Sequence, residues 1–348
     1  MTDGLYRIGI VGATSLVGKE LSDELQNSLL ATADFILLDD EEVSGQVTSV
    51  GDEAAFIQRI EATTFQGMDF VFFAGERAAT RKHWEVARKS GASIIDLTNE
   101  LEREVDAPVR SPSVSEALKL QGEAKVEARV NLSTPALVAA HPAAVMLGLV
   151  AARLQVAMEV KSFAAVVVEP ASQQGREAMD EMHQQTVNLL SFQTLPREQY
   201  DAQVAFNVLP TLGEAAKVKL DEAAARIQKH YGLIGEGRLP RLELELLQAP
   251  VFHGYTASVL VELAEDKTVE AVEKALVGEG VDVIAECSEP PSNLSAAGQE
   301  DVMVRVRGTG AANRFWIWMA ADNLKLNALN AIACANELRR LRPRGKVQ

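Results

Sequence analysis

Cysteine is scarce in this sequence, which contains only Cys287 and Cys334 in 348 residues. Two cysteines without a metal-binding spacing build neither a zinc site nor a disulfide framework, so we expect no metal and a reducing, cytoplasmic environment. The N-terminus lacks a basic stretch followed by an apolar core, so no secretion signal is expected. The longest apolar run, 136–152, is interrupted by His141 and Pro142 and is too short to span a bilayer, so we expect no membrane partner.

Positive charge is also deficient. The sequence has 34 Lys and Arg against 49 Asp and Glu, which gives a formal net charge of −15. A protein with this deficit lacks the basic surface that neutralises phosphates, so general nucleic-acid binding is excluded. The most basic stretch, Arg339–Lys346, is interpreted as the end of a helix and a frayed tail. The length is sufficient for two domains that each bury a core.

A short apolar strand, Ile8–Val11, leads into a turn with Gly12, Ser15 and Gly18 at the spacing of a dinucleotide-binding motif. Gly12 allows the tight turn, a small residue at position 15 lets a pyrophosphate approach the backbone, and Gly18 lets the next helix pack closely on the strand. Ser15 stands where glycine is usual. The helix N-terminus presents N–H groups to an anion, so the sequence predicts a nucleotide site here. A plain strand–turn–helix with small residues is the alternative.

Asp39 closes the second predicted strand, Phe35–Leu38, about 20 residues after the glycine turn. An acid at this place hydrogen-bonds the adenosine ribose hydroxyls in NAD sites. Because Asp40, Glu41 and Glu42 follow, four carboxylates would repel the 2′-phosphate of NADP. The sequence therefore favours NAD over NADP. A solvated acidic turn beside a site that binds neither nucleotide is the alternative.

Strand and helix patterns alternate in the first third of the chain, which predicts a parallel sheet with helices between its strands. Long alternating strands in the second half predict a mixed or antiparallel sheet with helices on one face. Further strands are predicted at 47–50, 56–57, 70–73, 93–96, 130–132, 160–168, 204–209, 242–247, 253–263, 302–306 and 315–320. Helices are predicted at 18–30, 76–90, 134–153, 175–192, 214–230, 270–278 and 323–342, and 97–125 is expected to be loop with short helices.

Several stretches are similar to landmarks of one family, the aspartate-semialdehyde dehydrogenases. Gly9–Gly18 resembles its nucleotide loop, Ala74–Gly75 its second cofactor-contacting turn, and Gly91–Thr98 the strand that ends in its phosphate-contacting loop. Residues 205–210, 250–256 and 321–330 match three further landmarks of that family. The resemblance covers nearly the whole chain.

The resemblance implies an α/β fold with two domains. Residues 1–135 would form a Rossmann-type NAD(P)-binding domain completed by the C-terminal helix 323–342, and residues 136–322 an α+β dehydrogenase and dimerisation domain with a mixed sheet. A homodimer is the implied partner state. The implied cofactor contacts are Gly12, Thr14, Ser15, Leu16, Val17, Asp39, Ala74, Gly75 and Asn323.

The chemistry of the family is a reversible, NADP-dependent reductive dephosphorylation of an aspartyl phosphate through a thioester on cysteine. The resemblance places Ala144 at the position of that cysteine, Tyr255 at the position of the general-base histidine, and Gln248 at the position of the arginine that holds the substrate carboxylate. Glu169 replaces the glutamine that orients the cysteine. Alanine cannot form a thioester and such groups act as a unit, so no catalytic residue is expected in the family's sense.

Other family positions are altered as well. The phosphate-binding arginine aligns with Glu102, and Arg103 is the candidate substitute one residue away. Glu214 and Lys217 match an acid–base pair of the family's substrate pocket, and their spacing predicts neighbours on one helix face. A solvated surface ion pair is the alternative for these two residues.

Two histidines lie near the implied active site. His141 replaces an asparagine in the turn of the missing cysteine, and His253 lies beside the position of the base. Hydride transfer without covalent catalysis, with Tyr255 or His141 as the acid, is one hypothesis. Polar residues that line an inactive pocket are the alternative. Neither Cys287 nor Cys334 aligns near the nucleophile's helix.

The expected function is therefore that of an aspartate-semialdehyde dehydrogenase-like protein that binds NAD(P), dimerises and has a binding or regulatory role. A mixed dimer with an active paralogue is a further expectation of this hypothesis. The alternative is an active NAD(P)-dependent semialdehyde dehydrogenase or reductase of amino-acid biosynthesis that uses a different nucleophile or substrate.

Overall fold

A computed structural model describes residues 6–39, 45, 47–50, 53–119, 130 and 134–341 of the chain. The chain divides into two compact units. The first comprises Met1–Pro112, Ala124–His141 and Asn327–Gln348, and the second comprises Ser113–Glu123 and Pro142–Leu326. The division falls at His141 and Pro142, six residues after the expected boundary at 135. Within the described ranges, no helix has the length and apolarity needed to cross a membrane.

The first unit is built on a largely parallel sheet with helices between its strands. Its elements are β1 (Arg7–Val11), α1 (Leu16–Gln26), β2 (Asp34–Asp39), β3 (Val47–Val50), β4 (Glu53–Arg59), β5 (Phe70–Phe73), α2 (Arg77–Lys89), β6 (Ser93–Asp96), β7 (Val109–Arg110) and β8 (Ala136–Ala139). The strand order is β3-β4-β2-β1-β5-β6-β8-β7, and only the β3–β4 pair is antiparallel among the described pairs. The central strands are apolar because both faces of the sheet are covered.

The second unit contains a mixed sheet. Its elements are α3 (Pro112–Lys119), α4 (Pro142–Ala157), β9 (Val160–Glu169), α5 (Arg176–Leu190), α6 (Leu220–Gly235), β10 (Leu242–Gln248), β11 (Tyr255–Leu263), α7 (Val269–Leu276), β12 (Val281–Val283), β13 (Val302–Gly308), β14 (Arg314–Ala321) and the start of α8 (Asn323–Leu341). The strand order is β10-β9-β11-β14-β13-β12, with parallel pairs at both edges and antiparallel pairs between them. The predicted fold class, a dinucleotide-binding sheet followed by a mixed sheet, is confirmed.

The predicted helix at 134–153 is wrong in its first half. Residues 136–139 form β8, which pairs with β6 and β7, and α4 begins only at Pro142. Proline lacks a backbone N–H, so it is suited to the first turn of a helix and not to its interior. Helix α1 ends at Gln26 instead of residue 30, because Asn27 caps it and Ser28 donates to the carbonyl of Leu25. Most of the strand predicted at 130–132 lies outside the described residues.

Two predictions in the second half are also wrong. Residues 204–209 form turns with a single bridge from Leu209 to Gln248, because the Gln185 amide oxygen accepts from the backbone of Val204 and Ala205. The helix predicted at 214–230 starts at Leu220. The preceding segment is held as a turn, since its backbone bonds to the Asp201 carboxylate and to the Gln199 carbonyl. Strand β12 was not predicted because it has only three residues.

Candidate functional site

The turn after β1 in the first unit is sterically restricted to glycine. Gly12 has a φ of +81°, and a Cβ added there would collide with the backbone of Gly75. A Cβ at Gly75 would lie 2.7 Å from the Gly12 Cα, and one at Gly18 would collide with the Gly12 carbonyl. The two turns that follow β1 and β5 are therefore in backbone contact, which is the close approach that the glycine spacing predicts.

Ser15 is the N-cap of α1 and has two hydrogen bonds. Its Oγ accepts from the Gly18 N–H at 2.8 Å and donates to the Ala74 carbonyl at 2.7 Å. Leu16 and Val17 follow in the first helical turn, where backbone N–H groups lack acceptors within the helix. The serine thus connects the start of α1 to the turn that follows β5.

Asp39 lies at the end of β2, and Thr14 of the glycine turn binds it. The Thr14 N–H and hydroxyl both donate to Asp39 Oδ2, at 2.9 and 2.6 Å. The acid is therefore held at the sheet edge where the nucleotide turn begins. Asp40, Glu41 and Glu42, which contributed to the predicted preference for NAD, lie outside the described residues.

The loop after β6 is organised by a buried acid that the sequence analysis did not single out. The Asp96 carboxylate accepts from the backbone and hydroxyl of Thr98 and from the backbone of Leu101. Burial raises the pKa of Asp96 despite these bonds. The Arg77 guanidinium donates to the Thr98 carbonyl, whereas Arg103 is exposed on the surface. The available sequence signal for this loop was an apolar strand that ends in Asp96, two residues before Thr98.

In the second unit, three of the replaced family positions lie at the ends of adjacent strands. Gln248 of β10 is in register with Glu169 of β9, and Tyr255 begins the neighbouring strand β11. Tyr255 Oη donates to Glu169 Oε2 at 2.9 Å, and Gln248 Nε2 donates to the Glu169 carbonyl at 3.3 Å. All three residues are fully buried. The structure therefore brings these replacements together as one bonded cluster.

Burial dominates the electrostatics of this cluster. Desolvation raises the pKa of Glu169 to about 7, although hydrogen bonds from Tyr255 and Gln174 favour its ionised form. The pKa of Tyr255 is raised well above its ordinary value by burial and by the charge of Glu169. Burial, then Glu181 and then Glu169 also raise the pKa of Tyr200, a fully buried tyrosine that sequence analysis missed. Its position in an irregular segment gave no signal.

Ala144 is fully buried in the first turn of α4. A methyl group at this position offers no nucleophile. His253 is half-buried in the turn before β11, and His141 is nearly buried in the first unit. Of the two side chains suggested as the acid in a non-covalent reaction, Tyr255 donates a hydrogen bond to Glu169, and His141 belongs to the first unit.

Asn323, the first residue of α8, is bonded within the second unit. Its Oδ1 accepts from Ser172 Oγ at 3.1 Å and from the Gly254 N–H at 2.9 Å, and its Nδ2 donates to Gln173 Oε1 at 3.3 Å. The residue is fully buried. Its amide is therefore committed to protein groups, and Ser172 and Gln173 are partners that the sequence analysis did not identify.

The predicted pairing of Glu214 and Lys217 on one helix face is wrong. Both residues are exposed in the turn before α6, because α6 starts only at Leu220. Of the two cysteines, Cys287 is exposed and Cys334 is buried. Burial, together with the nearby Glu337, raises the pKa of the Cys334 thiol, which disfavours a reactive thiolate.

Comparisons with known proteins agree with this two-unit description. Residues 7–121 match the family model of the semialdehyde dehydrogenase NAD binding domain, and residues 151–326 match that of the semialdehyde dehydrogenase dimerisation domain. The USG-1 protein homolog of Pseudomonas aeruginosa is 30% identical over 93% of this chain and 95% of its own length. An aspartate-semialdehyde dehydrogenase of Rickettsia bellii is 24% identical over 96% of this chain and 97% of its own length.

Solved structures show the same fold. A probable aspartate-semialdehyde dehydrogenase from Pseudomonas aeruginosa superposes with a TM-score of 0.82 at 27% identity, covering 97% of this chain and 99% of the other. Aspartate semialdehyde dehydrogenase II from Vibrio cholerae has a TM-score of 0.83 at 20% identity with the same coverage. Both domain models are matched in order along almost the whole sequence, and the chain therefore belongs to the aspartate-semialdehyde dehydrogenase family.

Proposed function

We propose that this chain is a nucleotide-binding, dimerising member of its family that does not perform the thioester reaction and has a binding or regulatory role. The observation that carries this proposal is the buried Ala144 in the first turn of α4, where the resemblance places the cysteine. A thioester needs a thiolate that reaches a carbonyl, and an alanine side chain cannot supply one.

The other replaced family positions support the same conclusion. In the family's scheme a glutamine orients the cysteine and a histidine activates it, whereas here Glu169 and Tyr255 bond to each other in a site without solvent exposure. The position of the substrate-binding arginine holds Gln248, whose amide bonds to backbone carbonyls. The nucleophile, the general base and the arginine that holds the substrate act together in the family's reaction. Because all three are replaced here, we expect no thioester chemistry.

For the cofactor, we propose NAD in preference to NADP. Thr14 holds the Asp39 carboxylate beside the glycine turn, where an adenosine ribose is bound in NAD sites. A fixed carboxylate repels a 2′-phosphate and accepts hydrogen bonds from ribose hydroxyls. The remaining alternative, a turn that keeps its shape without a nucleotide, predicts no binding of either dinucleotide.

For the partner, we propose a homodimer through the dimerisation domain. A mixed dimer with an active paralogue would give a non-catalytic subunit a direct regulatory effect. Co-expression with such a paralogue and size-exclusion chromatography with differently tagged chains test this point. Recovery of homodimers alone would limit the role to binding.

The names of the relatives favour one competing function, an active dehydrogenase or reductase with another nucleophile. The state of the thiols argues against it, since Cys334 is buried with a raised pKa and Cys287 lies in the exposed segment after β12. The experiment is an assay of purified protein with aspartate semialdehyde, phosphate and either NAD or NADP, followed by nicotinamide absorbance. We expect no turnover, and turnover that a Cys287→Ala or Cys334→Ala variant abolishes would overturn the proposal.

Two further measurements separate the parts of the proposal. Calorimetric titration with NAD and NADP tests the nucleotide claim, and no heat with NAD at millimolar concentration would remove it. The double variant Ala144→Cys with Tyr255→His tests whether the substrate site persists, with Tyr255→His alone as the matched control. Little activity is expected, because Gln248 still replaces the substrate arginine.

A further inference from the structure

A one-turn helix, Ala171–Gln174, follows β9 and is bonded to the last residue of that strand. Gln174 Nε2 donates to Glu169 Oε1 at 2.7 Å, while Tyr255 of β11 donates to Glu169 Oε2 at 2.9 Å. The two carboxyl oxygens of Glu169 thus receive hydrogen bonds from two different elements. One buried side chain connects the one-turn helix to the end of the mixed sheet.

The same helix is bonded to its surroundings on its other side. The backbone N–H groups of Ala171 and Ser172 donate to the carbonyls of Val251 and Phe252, each at 2.9 Å. Ser172 and Gln173 also contact Asn323 at the start of α8. Movement of the one-turn helix would therefore alter the turn before β11 and the first residue of α8.

The groups around Glu169 do not compensate a negative charge with a positive one. Tyr255 and Gln174 are neutral donors, and Gln248 approaches from β10 with a neutral amide. Tyr200, from the segment between α5 and α6, has its pKa raised by burial and by the charges of Glu181 and Glu169. Among the described residues, the titratable groups that bond to Glu169 or respond to its charge are Tyr255 and Tyr200, and burial raises the pKa of both.

Burial without a neighbouring cation among its described partners is the geometric basis for a protonated Glu169 carboxyl. Tyr200 Oη and Gln248 Oε1 are buried without a hydrogen-bond partner in the described part of the chain. Gln248 bonds to the backbone carbonyl of Glu169, and the charge of Glu169 contributes, after burial and Glu181, to the raised pKa of Tyr200. The Glu169 carboxyl is fully buried and its bonded side chains are neutral, so loss of its proton would leave a buried charge beside no cation among these partners.

We propose that Glu169 is a proton-controlled latch: the protonated carboxyl keeps the one-turn helix Ala171–Gln174 closed against the sheet, and rising pH favours an open state in which Glu169 reaches water. The inference does not depend on nucleotide binding or on the absence of catalysis. Its consequence is that the backbone around Asn323 responds to pH in the range of living cells.

The size of the effect follows from the two states of the carboxyl. The pKa of Glu169 is about 7 when buried and has its ordinary value of 4.5 when open. The open state therefore gains population as pH rises through this interval and reaches a plateau above it. Between pH 5 and pH 7.5 the opening equilibrium is expected to increase about 50-fold.

Hydrogen exchange followed by mass spectrometry on the full chain tests the latch. The amides of Ala171, Ser172 and Gly175 are compared with those of β13 and β14, after correction for the intrinsic pH dependence of exchange. Wild type and the exposed control Glu286→Gln should lose protection about 50-fold in the one-turn helix between pH 5 and 7.5. Glu169→Gln should show no such pH dependence, since its amide does not titrate.

A second variant keeps the test decisive if Glu169→Gln folds poorly. Tyr255→Phe removes a donor that favours the ionised carboxylate, so the upper end of the transition should move to higher pH. A purely structural role would instead give loosening that does not change with pH. A flat wild-type profile, or equal loss of protection throughout the mixed sheet, would overturn the proposal.

Discussion

Replacing Ser15 by alanine tests how the nucleotide turn is held together. Its hydroxyl caps α1 through the Gly18 N–H and binds the Ala74 carbonyl of the neighbouring turn. Loss of a serine N-cap costs about 1 kcal/mol. Loss of the bond to Ala74 costs about 1 kcal/mol more. The first unit should therefore lose about 2 kcal/mol of its free energy of unfolding, although no apolar side chain is removed.

Because the chain has two units, a single denaturation curve does not isolate this loss. Native-state hydrogen exchange of the buried β1 and β5 amides reports the first unit directly. We expect these amides to exchange about 30-fold faster in Ser15→Ala. Ser15→Gly should cost only about 1 kcal/mol, since glycine is nearly as good an N-cap as serine.

Ser191→Ala, in the second unit, serves as the control and should leave the β1 and β5 amides unchanged. A loss below about 0.5 kcal/mol in Ser15→Ala would refute the reasoning, because it would mean that neither hydrogen bond contributes to stability. If the β13 and β14 amides accelerate equally, the substitution acts on the whole chain instead of the turn.

Three further predictions concern other buried groups. The pKa of Glu169 rises from its ordinary 4.5 to about 7 on folding, so this residue should lower the free energy of unfolding of the second unit by about 3 kcal/mol as pH rises from 4 to 8. Native-state hydrogen exchange of the β9 and β11 amides should show a fall that is smaller by this amount in Glu169→Gln. Arg110 and Glu337 form a largely buried ion pair at 2.7 Å, so Arg110→Ala should cost about 3 kcal/mol, and adding Glu337→Leu should recover part of that loss. A thiol reagent should label the exposed Cys287 at once and Cys334 only on unfolding; rapid labelling of both would contradict the burial of Cys334.

The sequence was informative where structure depends on local geometry. The need for glycine at position 18 was predictable, because the clash that excludes a side chain there comes from the Gly12 carbonyl six residues earlier. At Gly12 the motif identified the residue, but the clash with Gly75 on the neighbouring turn is visible only in the structure. The mixed sheet was predictable from long alternating strands. The start of α6 was not, since its preceding turn depends on the Asp201 carboxylate, 14 residues away from its partner Ala215.

The sequence predicted which residues form the candidate site, but it did not predict the hydrogen bonds between them. The resemblance singled out Glu169, Gln248 and Tyr255 as replacements, yet only the strand register places them side by side. Gln174 was missed because its helix has only one turn, and Tyr200 because it lies in an irregular segment. The contact of Thr14 with Asp39 was likewise hidden, because a sequence motif describes each residue separately.

The division of α8 between the two units has a consequence for synthesis on the ribosome. From Asn327 onward this helix is grouped with the first unit, and Ala331, Ile332, Cys334 and Leu338 lie in the core of that unit. Residues 142–326 must therefore be translated before the first sheet receives its last apolar covering. The nascent N-terminal sheet therefore keeps apolar surface uncovered while almost all of the second unit is synthesised.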